Sequence, residues 1–251
     1  MFMFVRNLRV ISFLAVFSLL SLALPCVAEN ILAGRVVYVS DKLFIVSPDH
    51  LTRSVKHGAS FYQGDVLKTT ELSRAQLRFL DGAVIVLYPE TEFRIDAYSY
   101  AKAADEQPQN GAPVFTGSLL KGGLRAITGD IGNKTPGSYW LNTPVANIFQ
   151  VRDADYELVL GNVGLAVAAW GGSLAIENEA GSITLGEQYE FSYALITEKM
   201  AIPQGLLSLP DLVVLNKEAS IIEESGSDSV NMDTNIDANI GANVEKQEQQ
   251  N

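Results

Sequence analysis

Apolar and polar residues alternate with a period of two in many short runs of this chain. The clearest case is Ala75 to Tyr100, AQLRFLDGAVIVLYPETEFRIDAYSY. Asp81-Gly82 separates two apolar stretches, and this dipeptide favours a two-residue hairpin turn because it tolerates positive φ. With Leu80 facing Ala83, the turn predicts Phe79 opposite Val84, Arg78 opposite Ile85, Leu77 opposite Val86 and Ala75 opposite Tyr88. Ala75, Leu77, Phe79, Val84, Val86 and Tyr88 then form the core face, and Gln76, Arg78, Leu80, Ala83, Ile85 and Leu87 the other. After Pro89 the alternation resumes, with Phe93, Ile95 and Ala97 on one side and Glu92, Arg94 and Asp96 on the other. A third consecutive antiparallel strand is expected there.

The same periodicity, bounded by turn residues, predicts strands at 34–39, 43–46, 66–69, 114–120, 139–142, 145–151, 154–160, 165–170, 173–176, 183–185 and 189–193. Residues 101–113, rich in small and polar side chains with two prolines, read as an exposed loop. A helix is expected within 206–222, with Pro210 in its first turn. Short strands at close spacing disfavour a βαβ fold and predict an all-β, antiparallel β-sandwich of jelly-roll type. From Lys217 the chain has no aromatic residue, eight acidic against two basic side chains, and Asn235, Asn239 and Asn243 recurring every four residues. Such a segment buries little, so 217–251 reads as a disordered tail, with a partner-binding tail as the alternative.

Charge and targeting signals narrow the setting. Arg6 and Arg9 precede an apolar run over residues 10–24, followed by Cys26-Val27-Ala28. This is the layout of a secretory signal peptide over 1–28, cleaved after Ala28. The run is too short and serine-rich for a spanning helix, and no later stretch is long enough, so no stable membrane insertion is expected after cleavage. Cys26 follows Pro25, where lipid modification needs a small residue. The expected location is the periplasm or the exterior. Cleavage removes two of 18 basic residues and none of 29 acidic ones, leaving a net charge of −13 and no cysteine. Residues 29–216 must therefore hold together by core burial alone. The acidic balance also disfavours nucleic acid or an anionic membrane as partner.

Candidate chemistry is sparse. His50 and His57 lie in loops without zinc-site spacing, and there is no thiol or G-x-S-x-G motif. The glycine spacing of 129–135 is wrong for a phosphate loop. No enzyme activity, metal or cofactor is expected. Asp153, Asp155 and Glu157 alternate with apolar residues, which places three carboxylates on one side of a strand. That row is either a solvated strand face or a site for Ca²⁺ or sugar hydrolysis. Tyr98, Tyr100, Tyr139, Trp140 and Trp170 either fill core and strand edges or line a carbohydrate platform.

Four motifs occur in order: Gly64-Asp65-Val66-Leu67-Lys68-Thr69, the Asp81-Gly82 hairpin leading to Leu87-Tyr88-Pro89-Glu90-Thr91-Glu92-Phe93, Gly122 to Gly129 with Arg125, and Thr143-Pro144-Val145-Ala146. Together they resemble the FecR domain family over roughly residues 34–193. FecR relays a signal across the bacterial envelope from an outer-membrane receptor to a sigma factor. The resemblance covers only its periplasmic part and implies an exported, non-enzymatic β-domain that binds another envelope protein. Gly82 serves the turn, Gly122 and Gly123 permit a bulge or close approach, and Gly129 ends its segment. Arg125 is expected to pair with a carboxylate across the sheets, with ligand binding as the alternative. The next FecR motif, G-v-R-G-T, is replaced by Gln150-Val151-Arg152-Asp153-Ala154, which keeps Arg152 and loses both glycines, so an altered turn is expected there. Arg125, Arg152, Asp153, Asp155 and Glu157 are the candidate binding residues.

Overall fold

The computed structural model describes residues 30–101 and 112–209. The signal segment, most of the 101–113 loop and the tail lie outside these residues, as do the proposed boundaries at 28 and 217. Of the expected helix over 206–222, only 206–209 is described, and it is not helical.

The strands are β1 (Leu32–Val39), β2 (Leu43–Val46), β3 (Thr52–Val55), β4 (Ser60–Tyr62), β5 (Val66–Thr69), β6 (Ala75–Phe79), β7 (Val84–Leu87) and β8 (Glu92–Ser99). They continue as β9 (Val114–Ile127), β10 (Tyr139–Asn142), β11 (Asn147–Gly161), β12 (Gly164–Asn178), β13 (Gly181–Gly186), β14 (Tyr193–Ile196) and β15 (Gln204–Leu206). One short helix, α1 (Asp130–Lys134), joins β9 to β10, with a single 3-10 turn at Pro136–Ser138. The all-β expectation holds, with two departures. The α1 helix occupies the 129–135 stretch, and β10 runs parallel to β9.

Three long strands organise the sheet. The first half of β9 lies between β8 and β10, and its second half lies between β7 and β11. β11 likewise pairs first with β10 and then with β9, while β12 pairs with β14 and then with β13. Each long strand bends where it changes partner: Gly122 in β9 has φ +81°, Gln150 and Asp153 in β11 have φ 49° and 43°, and Gly172 in β12 has φ +64°. Strands that switch partners at such corners fold one open hydrogen-bonded network around a shared interior. Phe79 on β6 shows the consequence, because its ring packs against Tyr98 on β8 and Phe115 on β9 at 5.7 and 5.4 Å, although β6 pairs with neither strand.

The central hairpin forms in a different register. Phe79 donates its N–H to the Ala83 carbonyl, and Arg78 faces Val84, Leu77 faces Ile85 and Ala75 faces Leu87. The loop therefore has three residues, Leu80-Asp81-Gly82, with Gly82 at φ +88°. That extra residue turns the second strand over. Ala83, Ile85 and Leu87 join Ala75, Leu77 and Phe79 in the main core, while Val86 and Tyr88 pack with Val159 on the opposite face.

Other expectations shift for related reasons. β7 and β8 do not pair with each other, because the chain turns at Pro89–Thr91 and both strands bond to β9 instead. A bulge between Ile95 and Ala97 moves Tyr98 into the core in place of Ala97. The runs 145–151 and 154–160 are one strand, as are 165–170 and 173–176, since each corner interrupts the alternation without ending the strand. The turn after β13 falls at 187–188, residues 189–192 are irregular, and β14 begins only at Tyr193. β3, β4 and β15 have too few alternating apolar residues to stand out.

Candidate functional site

Residues from three of the four motifs meet in two buried joints. In the first, the Asp81 carboxylate accepts hydrogen bonds from the Ala83 and Ile131 N–H groups and the Tyr98 hydroxyl, each at 3.3 Å. The Asp81 N–H is donated to the Tyr98 hydroxyl at 3.0 Å, and its carbonyl accepts the Asp130 N–H at 2.9 Å. Gly129 closes this joint, because a Cβ there would stand 2.4 Å from the Ala83 nitrogen and 2.6 Å from the Asp81 carbonyl oxygen. Burial pushes the Asp81 carboxyl above its usual range, and its hydrogen bonds pull part of the way back.

In the second joint, the Thr69 hydroxyl donates to the Tyr88 carbonyl and accepts the Thr91 N–H at 2.9 Å. The Thr91 hydroxyl donates to the Gly123 carbonyl at 2.8 Å and accepts the Gly123 N–H at 3.0 Å. Gly122 lets β9 approach, since a Cβ there would lie 2.7 Å from the Thr91 Cα. Thr91→Val keeps the shape but leaves the Gly123 N–H unpaired, while the Gly123 carbonyl keeps the Tyr88 N–H. It is expected to destabilise the fold by about 1–3 kcal/mol, measured by denaturant unfolding. Elsewhere, Asp65 accepts the Tyr62 N–H, and Thr143 ties its own turn to Ala146.

The expected row of three carboxylates is taken apart by the β11 corner. Asp153 sits exposed in the corner itself, and the register shifts on either side of Asp155 break the alternation. Asp155 is gripped by Arg125, with Nε to Oδ1 at 2.8 Å and Nη2 to Oδ2 at 2.6 Å. Arg125 thus does pair with a carboxylate, on the adjacent strand of the same network rather than across the sheets. Glu157 is 5% exposed, and its Oε2 accepts the Trp170 indole N–H at 3.2 Å. The Tyr88 hydroxyl lies close enough to help hold the Glu157 charge, though neither it nor Glu157 Oε1 makes a hydrogen bond of good geometry. The Arg74 guanidinium stands over the Tyr88 ring at 5.2 Å. Burial raises the Glu157 pKa, offset in part by Tyr88 and Trp170 and then by the charges of Arg125 and Arg74. One carboxylate locked in an ion pair and another sealed from water do not form the facing pair that sugar hydrolysis needs. Among the described residues, no group of three His, Cys, Asp or Glu side chains is placed to hold a metal.

The aromatic platform does not assemble. Tyr98 and Tyr139 are buried, and the Tyr139 and Tyr156 hydroxyls share a hydrogen bond in the core. Tyr100 donates its hydroxyl to Asp130 at 2.6 Å. Trp140 stacks on Phe149 between β10 and β11, while Trp170 belongs to the Glu157 cluster. His50 and His57 are exposed, as their loop positions predict.

The remaining candidates, Arg152 and Asp153, line a cleft of about 510 Å³ at the β11 corner. Gln150 and Tyr189 line it too, and neither is among the candidate binding residues that the sequence offers. The signal was available only as a negative one, the loss of two glycines from a turn motif.

Comparison with known proteins adds little. No protein family and no curated protein matches the chain. Among solved structures, one that is similar is the crystal structure of a supposed anti-sigma factor from Parabacteroides distasonis, at 11% identity and a TM-score of 0.44. The match covers 61% of this chain and 63% of that one, less than two thirds of either. A likeness of that degree supports no functional argument.

Proposed function

We propose that this chain is an exported, non-enzymatic domain of the bacterial cell envelope, similar to the periplasmic part of FecR, that binds a partner protein. The observation that carries this reading is the interlocking of three of its four motifs. Asp81 of the hairpin motif bonds to the backbone beyond Gly129 of the glycine-arginine motif, and Thr69 of the first motif bonds to Thr91 of the second. Thr91 in turn clasps Gly123 of the third. These residues hold a fold together from inside it, which suits a recognition module whose surface varies on a fixed frame.

The surface offers a site of suitable composition. Ile127 and Trp170 are more than a third exposed beside the Arg125–Asp155 pair, and Trp and Arg are over-represented where protein interfaces concentrate their energy. Two measurements test the reading. Protein recovered from the producing cell's envelope fraction is expected to begin at Glu29. A photo-crosslinking residue at Ile127 is expected to give one discrete protein adduct in cells, and the same residue at Glu179 none. Recovery of the uncleaved chain in the cytoplasm, or no adduct at Ile127, would end the proposal.

A further inference from the structure

We propose that the cleft at the β11 corner binds an uncharged polyhydroxyl ligand, such as a short segment of a neutral glycan. This goes beyond protein binding and does not rest on it. The cleft, about 510 Å³, has Ser173, Ala175 and Thr184 among its lining residues from β12 and β13. Gln150, Arg152 and Asp153 come from the β11 corner, and Glu187, Gln188 and Tyr189 from the β13–β14 connection. All six of these are exposed, and Tyr189 shows 50% of its surface.

The chemistry of that lining selects the ligand. Carboxylates, carboxamides and a guanidinium each present two polar atoms in a planar fork, which matches two adjacent hydroxyl groups. Ser173 and Thr184 add hydroxyls that both donate and accept. Tyr189 offers an aromatic surface for the apolar face of a sugar ring. One positive and two negative side chains give no field that would draw a polyanion. The volume lies within the range of small-ligand sites.

Backbone strain points to the same place. Gln150 and Asp153 adopt φ of 49° and 43°, a left-handed conformation that glycine takes freely and other residues resist. Polar side chains sit on this left-handed backbone against local stability, and both line the cleft. The frame beneath is fixed. The missing Cβ of Gly172 lets β12 press against the carbonyls of Arg152 and Asp153, where a Cβ would stand 2.2 Å away. The Asp153 N–H is held by Asn133 Oδ1 at 2.9 Å, and the Gly186 N–H closes its loop on the Phe191 carbonyl at 3.1 Å. Side chains on a rigid frame lose less freedom when they bind.

Titration calorimetry of the purified protein with chitotetraose, cellotetraose and maltotetraose tests this. At least one is expected to bind with Kd below about 1 mM. The Gln150→Gly, Asp153→Gly double variant is expected to weaken that binding at least about tenfold while raising Tm by about 2–4 °C, because glycine relieves the strain. Arg152→Ala is expected to weaken binding similarly with Tm unchanged. The proposal is overturned if none of the three binds at about 5 mM, if the double variant binds equally well, or if its Tm falls. Stronger binding of trigalacturonate or a lysine-rich peptide than of any neutral tetrasaccharide also overturns it.

Discussion

Gly129→Ala is expected to lower stability by about 3–4 kcal/mol. The added carbon would stand 2.4 Å from the Ala83 nitrogen and 2.6 Å from the Asp81 carbonyl oxygen, and both are backbone atoms that cannot swing aside. Relief requires the hairpin loop and the start of α1 to separate. That separation breaks the Asp130 N–H to Asp81 carbonyl bond and the Ile131 N–H to Asp81 carboxylate bond. A buried carboxylate would then lose a donor, which costs more than the bond itself contributes. In a domain of this size the change corresponds to a Tm lower by about 10 °C. Gly137→Ala is the control. Nothing lies within 4 Å of the carbon added there, so its effect should stay within about 0.5 kcal/mol. Equal Tm values for the two variants would show that the Asp81 joint does not hold the fold.

Arg125→Ala comes next, at about 2–4 kcal/mol near neutral pH. The range sits below that for a fully buried pair because the Arg125 and Asp155 side chains keep 19% and 26% of their exposure. The loss strands two carboxylates, Asp155 directly and Glu157 through the charge that Arg125 supplies. Its pH dependence gives a sharper test. The folded pKa of Glu157 already lies above its unfolded value, so its contribution is fully present below the unfolded value of about 4.3 and is lost as pH rises through the folded pKa. Removing Arg125 raises the folded pKa further and steepens that loss. The variant should therefore approach wild-type stability near pH 4 and fall away from it towards pH 8. Adding Glu157→Gln should restore part of the loss at pH 8 by more than about 1 kcal/mol. A stability difference independent of pH would mean that Arg125 acts only through its packing. Asp65 and Asp81, also raised by burial, shift with the same sign, so the wild-type protein itself should lose stability as pH rises above the usual carboxylate range.

Much of this could be read from residue patterns because strand alternation is local. β2, β5 and β10 begin and end where their apolar periodicity does. Gly82, Gly122 and Gly129 were identifiable as backbone devices, since few residues other than glycine fit a left-handed turn or a crowded approach. The pairing register of the central hairpin was not, because a two-residue and a three-residue loop share the Asp-Gly signature and one residue inverts a whole strand. The same limit hid the site. Asp153, Asp155 and Glu157 alternate perfectly as letters, but Asp153 takes a left-handed turn and the three diverge into a cleft, an ion pair and a sealed pocket.

The order of residues by itself determined that the body is built of strands, where most of them lie, and which glycines permit its turns. Those properties depend on neighbours one to four positions away. The tertiary structure alone decided that Asp81 meets α1, that Arg125 holds Asp155, and that Gln150 and Tyr189 share a cleft. Each of those meetings joins residues some 30 to 50 positions apart, and is set by where the long strands bend and which partner each half then pairs with.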